Sequence, residues 1–175
     1  MRILGVDIGG TGIKAAVIET QTGELISEHK RIPTPQPATP ENIASSLAQL
    51  VTELAWSGPI GCGFPATVHH GVAYSASNID PSWINTDAQT LFSQVTSRPC
   101  FVVNDADAAG MAEMRFGTGQ NNRGVTILLT IGTGIGSAVF VNGQLHPNTE
   151  LGHVRFGDSI AERYCAESVR IKQNL

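Results

Sequence analysis

Residues 8–17 read IGGTGIKAAV, and this stretch decides the fold because it returns as IGTGIGSAV at residues 131–139 once one glycine is skipped. Each copy follows a short apolar run that predicts a buried strand, and each leads into a second apolar run after the glycines. The order of strand, Gly/Thr turn and strand therefore occurs twice in one chain. This internal repeat predicts an α/β fold with two similar lobes that face one cleft.

The residues after the first glycine turn predict most of a complete lobe. A third strand ends near Ile32, and a proline-rich stretch then forms an extended connection. In the helix that follows, Thr39 is suited to cap the N-terminus, Pro40 to the first position and Gly58 to the end. Apolar residues recur between them at helical spacing, at Ile43, Leu47, Leu50, Val51 and Leu54.

The rest of this lobe alternates strands and helices. A buried strand at residues 60–64 runs into a loop that reaches Trp83. Thr86 and Gln89 fit a capping box for a short helix, and residues 101–103 predict the next strand. An alanine-rich helix is expected directly after this strand.

The second lobe starts like the first but contains fewer elements. Residues 125–129 predict a buried strand that enters the glycine turn, residues 137–141 predict a second strand that leaves it, and an Asn-Gly pair typical of a hairpin follows. We therefore expect a complete N-terminal lobe at residues 1–103 and an incomplete second lobe at residues 104–175. A truncated gene product or a fragment would have this organisation, unless a partner chain supplies the missing elements.

The composition favours a soluble protein of the reducing cytoplasm. A net charge of −4 and 15% charged residues provide no basic surface for nucleic acid or a membrane, so a polyanionic substrate must be bound locally. Cys62, Cys100 and Cys165 lie far apart and predict neither a disulfide framework nor a zinc site. We find no signal-peptide core and no apolar run of membrane-spanning length.

The segment DIGGTGIK at residues 7–14 has the groups of a phosphate-binding turn. Asp7 ends a strand, bare glycine amides can approach phosphate oxygens, and Thr11 and Lys14 add a hydroxyl and an ammonium group. The spacing matches neither the GxxxxGK[ST] loop nor a GxGxxG turn that enters a helix. An ordinary glycine hairpin is the alternative. The matching loop at residues 132–136 would supply a second such turn, which favours the phosphate-binding interpretation.

Asn104 and Asp105 lie where a buried strand meets a helix, the position at which open α/β sheets bind their ligands. A carboxylate there is suited to act as general base, because a sugar hydroxyl that attacks a phosphoryl group must give up its proton. The alternative for Asp105 is a helix N-cap or an acidic residue of the first turn. We interpret Asp107 in this second way only.

Glu150 and His153 are three residues apart, so a turn or a short helix would bring them to the same side, where they can bind adjacent hydroxyl groups of a polyol. A surface ion pair is the alternative. Glu162 is a further candidate ligand, although Ser159 and Glu162 also fit a capping box for a helix that begins there.

These motifs together resemble those of ROK-family sugar kinases. The segments that carry the resemblance are DIGGTGIK at 7–14, NDADA at 104–108, LTIGTGIG at 129–136 and ELGH at 150–153, in the same order. The resemblance implies the actin-like ATPase fold, which is related to ribonuclease H, with the second lobe truncated. Within the family, GFP at 63–65 and PNTE at 147–150 are most similar to polyphosphate glucokinases.

The resemblance also implies a role for each candidate residue. Asp105 would be the base for the 6-hydroxyl of the sugar, and Asp7 would lie near a magnesium ion. The residues expected to hold the sugar ring are Asn104, Glu150, His153 and Glu162. Those expected to contact the phosphoryl donor are Gly9, Gly10, Thr11, Lys14, Gly132, Thr133 and Gly134. A homodimer is implied, and the zinc site of many ROK kinases is not, because no cysteine cluster follows the Gly-His pair.

The function implied is transfer of a terminal phosphoryl group from inorganic polyphosphate, or from ATP, to the 6-hydroxyl of glucose with Mg²⁺. An ATP-dependent ROK hexokinase acting on glucose, mannose or fructose is one alternative, and an inactive truncated remnant is another. Sugar-sensing ROK repressors are a third. They carry a DNA-binding region before the kinase-like part, and a first strand that starts at Ile3 leaves no room for one.

Overall fold

The computed structural model describes residues 1–77, 79–132 and 134–173. It divides into two compact units, Met1–Asp105 and Ala106–Leu175. The boundary that we predicted lies two residues upstream, between residues 103 and 104. In the described ranges no helix combines the length and the apolar character needed to span a membrane.

The first unit is built on a mixed β-sheet. Its elements are β1 (Arg2–Ile8), β2 (Gly12–Glu19), β3 (Lys30–Pro33), α1 (Pro40–Glu53), β4 (Ile60–Phe64), β5 (Val68–His69), β6 (Val72–Ala73), β7 (Thr86–Asp87), α2 (Ala88–Thr96) and β8 (Cys100–Asn104). The main sheet has five strands in the order β3-β2-β1-β4-β8. Strands β1 and β2 form the predicted antiparallel hairpin, whereas β1, β4 and β8 run parallel.

The core of this unit lies between the sheet and the two helices. Apolar residues alternate along β1, β4 and β8, and α1 contributes the face that its helical periodicity predicts. Three buried aromatic rings, of Phe64, Trp83 and Phe92, pack together with centroids 4.6 to 6.3 Å apart. The Trp83 indole also donates a hydrogen bond of 2.9 Å to the carbonyl of Ala38. The aromatic cluster thus ties the carboxyl end of β4 to the helical layer.

Helix α1 begins as predicted and ends earlier. The hydroxyl of Thr39 accepts a hydrogen bond from the amide of Asn42, which confirms the N-cap. The helix ends at Glu53, not at Gly58. Ala55 adopts a left-handed conformation with φ of 48°, and the amide of Trp56 bonds back to Val51, which closes a Schellman motif. Glycine usually occupies the position of Ala55, so the later glycine was a misleading signal.

The region between β4 and α2 is more ordered than predicted. The segment that we expected to be a loop contains β5 and β6. These two strands form a small three-stranded sheet with β7. The capping box of Thr86 is wrong, because Thr86 pairs with Ala73 in this sheet and its hydroxyl donates to Ser82. Asp87 caps α2 instead, accepting from the amide of Thr90 at 2.9 Å. Two-residue strands are too short to produce a readable periodicity.

The second unit is a smaller sheet with helices. Its elements are α3 (Asp105–Phe116), β9 (Val125–Ile131), β10 (Ile135–Val141), β11 (Gln144–His146), β12 (Arg155–Phe156), β13 (Ser159–Ile160), α4 (Glu162–Cys165) and α5 (Glu167–Gln173); α3 starts on the last residue of the first unit. The sheet order is β11-β10-β9. Asn142 and Gly143 both have positive φ, as the predicted hairpin requires.

The internal repeat is confirmed at the level of hairpins. Ile8 pairs with Ile13 around the first glycine turn, and Ile131 pairs with Ile135 around the second. The order β11-β10-β9 therefore repeats β3-β2-β1. In the first unit β4 then pairs with the outer edge of β1, whereas no strand in the described ranges pairs with the outer edge of β9.

The prediction that β9 is buried is wrong. Its alternate apolar side chains Val125, Ile127, Leu129 and Ile131 are 66%, 54%, 53% and 61% exposed. We call these four residues the β9 face. The opposite face of this sheet, with Ala138 and Phe140, packs against Gly110 of α3. One side of the sheet is therefore covered and the other side is not.

Candidate active site

In the first unit, the candidate residues lie at one edge of the main sheet. Asp7 on β1 pairs with Gly63 on β4, which in turn pairs with Val103 on β8. The first glycine turn follows β1 directly, and Asn104 ends β8. Because the three strands are parallel, their carboxyl ends meet at the same edge, with Asp7 and Val103 separated by two strand spacings or roughly 10 Å.

The first glycine turn is closed by its own backbone. The amide of Gly9 donates to the carbonyl of Gly12 at 3.0 Å, and the hydroxyl of Thr34 donates to the carbonyl of Gly9 at 2.5 Å. The Gly9 amide is therefore engaged within the turn, and contact of Gly9 with a phosphoryl donor stays a prediction. Gly10 and Thr11 are exposed at the tip of the turn, and no hydrogen bond engages their amides within the described ranges. These two amides are the donors that the turn can offer.

Asp7 and Lys14 face each other across the hairpin. They are register partners on β1 and β2, and Lys14 Nζ lies 3.2 Å from Asp7 Oδ2, with both side chains about half exposed. Within the described part of the chain, no three His, Cys, Asp or Glu residues cluster as a metal site. A magnesium ion here would be held by the single carboxylate of Asp7 together with phosphate oxygens and water, which is a common arrangement for Mg²⁺.

Asn104 and Asp105 join β8 to α3. Asn104 is buried, and its Nδ2 donates to the carbonyl of Ala66 at 3.0 Å, which fixes the orientation of the side-chain amide. Asp105 is the first residue of α3 and is partly exposed. A carboxylate at a helix N-terminus is stabilised in its charged form by the helix dipole.

The second glycine turn is also closed by a backbone bond. The amide of Gly132 donates to the carbonyl of Gly134 at 2.9 Å, so the Gly132 amide is likewise engaged. Thr133, a predicted donor contact, lies outside the described residues. A Cβ at Gly132 would meet no atom within 4 Å, so packing within the chain does not require glycine there. A bare backbone at this point is suited to close approach by a ligand.

In the second unit, Glu150, His153 and Glu162 form one cluster. His153 Nδ1 lies 3.6 Å from Glu150 Oε2, and His153 Nε2 lies 3.5 Å from Glu162 Oε1. The three side chains are partly buried, with 32% of Glu150, 29% of His153 and 17% of Glu162 exposed, so Glu150 and His153 also fit the ion pair that we considered as the alternative. The 3₁₀ turn at Leu151–His153 packs on β10 so closely that a Cβ at Gly152 would lie 2.2 Å from the carbonyl oxygen of Ile135. Glycine in this motif is therefore a packing requirement.

Glu162 links this cluster to the second glycine turn. Its Oε2 accepts a hydrogen bond of 3.2 Å from the amide of Ile135, the first residue of β10. The capping box with Ser159 is wrong, because Ser159 lies in β13 and no side chain caps α4. Long-range packing therefore decides the place of Glu162, and the local pattern does not.

The surroundings of Glu150 raise the pKa of its carboxyl group. Burial is the largest cause that raises the pKa of Glu150, and the charges of Asp107 and Glu162 act in the same direction. The charge of His153 opposes them and lowers this pKa. A carboxyl group with a raised pKa changes protonation closer to neutral pH than an exposed one.

Two buried residues around this cluster were not predicted as functional. Asp107, on α3, accepts a hydrogen bond at Oδ2 from the amide of Asn148 at 2.8 Å. Ser137, on β10, accepts at Oγ from the amide of Leu151 at 2.9 Å. The spacing of Asp107 from Asp105 was a usable signal. Side chains two positions apart on a helix point in nearly opposite directions, so Asp107 cannot share the surroundings of Asp105. Ser137 had no such signal.

Comparison with known proteins decides the family. The model of the ROK family matches residues 3–169. The chain belongs to the ROK family. Polyphosphate glucokinase of Mycobacterium tuberculosis strain H37Rv is 47% identical over 97% of this ROK chain, and glucokinase of Streptomyces coelicolor is 36% identical over 87%. The chain spans 64% and 49% of the lengths of these two relatives.

Solved structures show the same relationship. Inorganic polyphosphate/ATP-glucomannokinase from Arthrobacter sp. strain KM superimposes with a TM-score of 0.94 at 44% identity, covering 99% of this ROK chain and 72% of that protein. A ROK glucokinase from Streptomyces griseus, solved with glucose and AMPPNP, gives 0.86 at 28% identity, covering 98% and 59%. The expected actin-like ATPase fold and the resemblance to polyphosphate glucokinases are both confirmed.

Proposed function

We propose that this protein transfers a terminal phosphoryl group from inorganic polyphosphate to the 6-hydroxyl of glucose, with Asp105 as the general base. The observation that carries the proposal is the shared sheet edge of the first unit. There the exposed tip of a glycine turn and the Asn104-Asp105 pair both follow parallel strands that are only two spacings apart. A phosphate-binding turn and a carboxylate at one edge are what phosphoryl transfer to a hydroxyl requires.

The sugar would be held by Asn104 and by the cluster of Glu150, His153 and Glu162. Each hydroxyl of a hexose donates one hydrogen bond and accepts others, so carboxylate and imidazole groups in a partly buried cluster are suitable partners. Two carboxylates on either side of one histidine also fix the ring orientation of that histidine.

The donor would be bound mainly by backbone and by Lys14. The amides of Gly10 and Thr11 would supply hydrogen bonds at the first turn. At the second turn a phosphate chain would contact Gly134 and Gly132, and a Cβ at Gly132 would meet no atom within 4 Å. Mg²⁺ held beside Asp7 would neutralise charge on the donor. Asp105 would accept the proton of the attacking hydroxyl, since it is the carboxylate at the end of β8.

The test is the Asp105→Asn variant. We expect phosphoryl transfer to fall by about 100-fold or more, because general-base catalysis contributes on the order of 10²–10⁴ in rate. Glucose binding, measured by calorimetry, should remain close to that of the unmodified protein. Glu28→Gln, which removes a charge from an exposed residue away from the site, is the matched control and should keep full turnover. Undiminished turnover of Asp105→Asn would remove Asp105 from the base role.

The second candidate is an ATP-dependent ROK hexokinase. Two similar structures support this candidate. One is a protein named for both polyphosphate and ATP, and the other is a glucokinase solved with AMPPNP. A competition assay with equal phosphoryl-group concentrations of polyphosphate and ATP separates the two. Preference for ATP would overturn our choice of donor. Glucose binding without transfer from either donor would favour the inactive remnant.

Association and location are also inferred. We infer a homodimer from the family resemblance, and sedimentation velocity measures it directly. All three cysteines are free thiols, two of them buried, which supports a reducing compartment such as the cytoplasm.

A further inference from the structure

The segment at residues 148–151, which carries Glu150, is anchored on one side by a buried carboxylate. Asp107 is only 2% exposed, and its Oδ2 accepts the backbone amide of Asn148 at 2.8 Å. Burial of an ionisable group is costly, and an uncharged acceptor such as asparagine could accept the same amide with a smaller desolvation cost. Fold stability therefore explains an acceptor at this position but gives little reason for an aspartate.

The same segment is anchored on the other side by Ser137. The Ser137 hydroxyl accepts the amide of Leu151 at 2.9 Å and donates to the carbonyl of Thr149. Asn148 has a left-handed conformation with φ of 58°, so this segment departs from the extended backbone of the preceding β11. Hydrogen bonds to Asp107 of α3 and Ser137 of β10 hold this segment, where a strand would be held by pairing with a neighbouring strand. Glu150 lies between the two anchors.

We propose that Asp107 is a positioning residue for sugar recognition: with Ser137 it holds the segment at residues 148–151 in the conformation that turns Glu150 toward His153. The inference rests on the proposed function, because it is there that Glu150 binds a hydroxyl group of the sugar. Asp107 acts through Glu150 and touches no reacting atom.

The hydrogen bond and the charge of Asp107 have separable effects. The charged groups that face Glu150 are Asp107 from α3, His153 from the 3₁₀ turn and Glu162 from α4, and the charge of Asp107 contributes to the raised pKa of Glu150. Asp107→Asn keeps an acceptor oxygen for Asn148 and removes the charge. Asp107→Leu removes both the acceptor oxygen and the charge, with a side chain of similar volume. Comparison of the two variants therefore distinguishes the hydrogen bond from the charge.

The first experiment needs no activity. Amide hydrogen exchange of Asn148 and Leu151 is measured by NMR in the full chain, its folding checked by circular dichroism. We expect exchange at Asn148 to accelerate by about tenfold or more in Asp107→Leu and to stay near the original rate in Asp107→Asn. Ser137→Ala should instead accelerate the amide hydrogen exchange of Leu151. Unchanged protection of Asn148 in Asp107→Leu would overturn the anchoring role.

The second experiment measures the affinity for glucose. In Asp107→Leu we expect the Kd of glucose to rise by about tenfold or more while the KM of the phosphoryl donor stays constant. In Asp107→Asn the affinity at neutral pH should persist, and the acidic limit of glucose binding should move to lower pH, because the pKa of Glu150 falls when the neighbouring charge is removed.

The two experiments distinguish failure of the inference from failure of the proposed function. If the unmodified protein does not bind glucose, the proposed function fails, and the exchange rates still decide whether Asp107 anchors the segment. If the unmodified protein binds glucose and Asp107→Leu binds it equally well, Asp107 is not a positioning residue for the sugar.

Discussion

Two carboxyl groups of the second unit are buried deeply enough for burial to oppose their ionisation. Burial raises the pKa of Asp107 more than the hydrogen bond from Asn148 lowers it. Burial also raises the pKa of Glu150. A group whose pKa is raised by folding supports the folded state below its ordinary pKa, and that support is lost as the pH rises through the raised value.

This linkage predicts the pH dependence of an Asp107→Asn variant. Below about pH 3, under the ordinary pKa of aspartate, the residue is protonated in both the folded and the unfolded states and resembles asparagine, so the variant and the original protein should have similar free energies of unfolding. As the pH rises to 7, the variant should become the more stable of the two, because only the original protein must then ionise a buried group. Urea titrations at several pH values measure this difference. A difference that does not change with pH would show that Asp107 keeps an ordinary pKa in the fold.

Single residues of the site could be predicted from the sequence where the position depends on local chain geometry. Asp7 and Lys14 face each other because a hairpin turn between them sets the register. Asp105 follows a strand, so its place at a sheet edge was also readable. The contact of Glu162 with Ile135 was not, because the two residues are far apart in sequence and only tertiary packing joins them.

At the scale of elements, α3 packs closely against β10 in the second unit. Gly110 lies where α3 crosses the strand, and a Cβ there would come within 2.5 Å of Ala138 Cβ and 2.9 Å of the Phe140 ring. Both partners are buried, so neither can move into solvent. The helix approaches the strand closely because residue 110 has no side chain.

A Gly110→Ala variant tests this contact. In an open helix the change would stabilise by about 1 kcal/mol through helix propensity. Here we expect a net loss of about 1–3 kcal/mol in the free energy of unfolding, because the added methyl group overpacks the interface. Ala112→Gly, at an exposed position of the same helix, is the control and should cost about 1 kcal/mol from propensity alone. A Gly110→Ala protein more stable than the original would contradict the packing described.

Elements were predictable in proportion to their length. Helix α1 repeats its apolar spacing over several turns and has a capping threonine, so its start was clear. Its end depended on Ala55 adopting a conformation that alanine seldom takes, which no local pattern indicates. Strands β5, β6 and β7 have two residues each and exist only because they pair with one another.

At the scale of the whole molecule, an edge strand in each unit exposes apolar side chains. In the first unit Phe101 and Val103 are exposed on the side of β8 away from α2. In the second unit the β9 face is exposed, next to an edge that is unpaired in the described ranges. Exposed apolar strands at a sheet edge are templates for pairing with other chains. The repeat was readable in the sequence, but which strands stay uncovered depends on tertiary packing.

We expect the β9 face to drive self-association. Replacement of Ile127 and Leu129 by threonine retains β-propensity, removes exposed apolar surface, and should reduce concentration-dependent association in sedimentation velocity. The control is Leu128→Thr, on the covered side of the same strand opposite Ala138, which should lower the thermal midpoint without reducing association. Association that persists in the double variant would assign it to another surface.

The aromatic cluster of the first unit gives the molecule a built-in optical label. Trp56 and Trp83 are the two tryptophans of the sequence, and both lie in Met1–Asp105. Trp83 is fully buried against Phe64 and Phe92, so its emission shifts to longer wavelength when that core opens to water. Tryptophan fluorescence thus follows the first unit alone, and subtraction of its transition from one recorded by circular dichroism isolates the melting of the second.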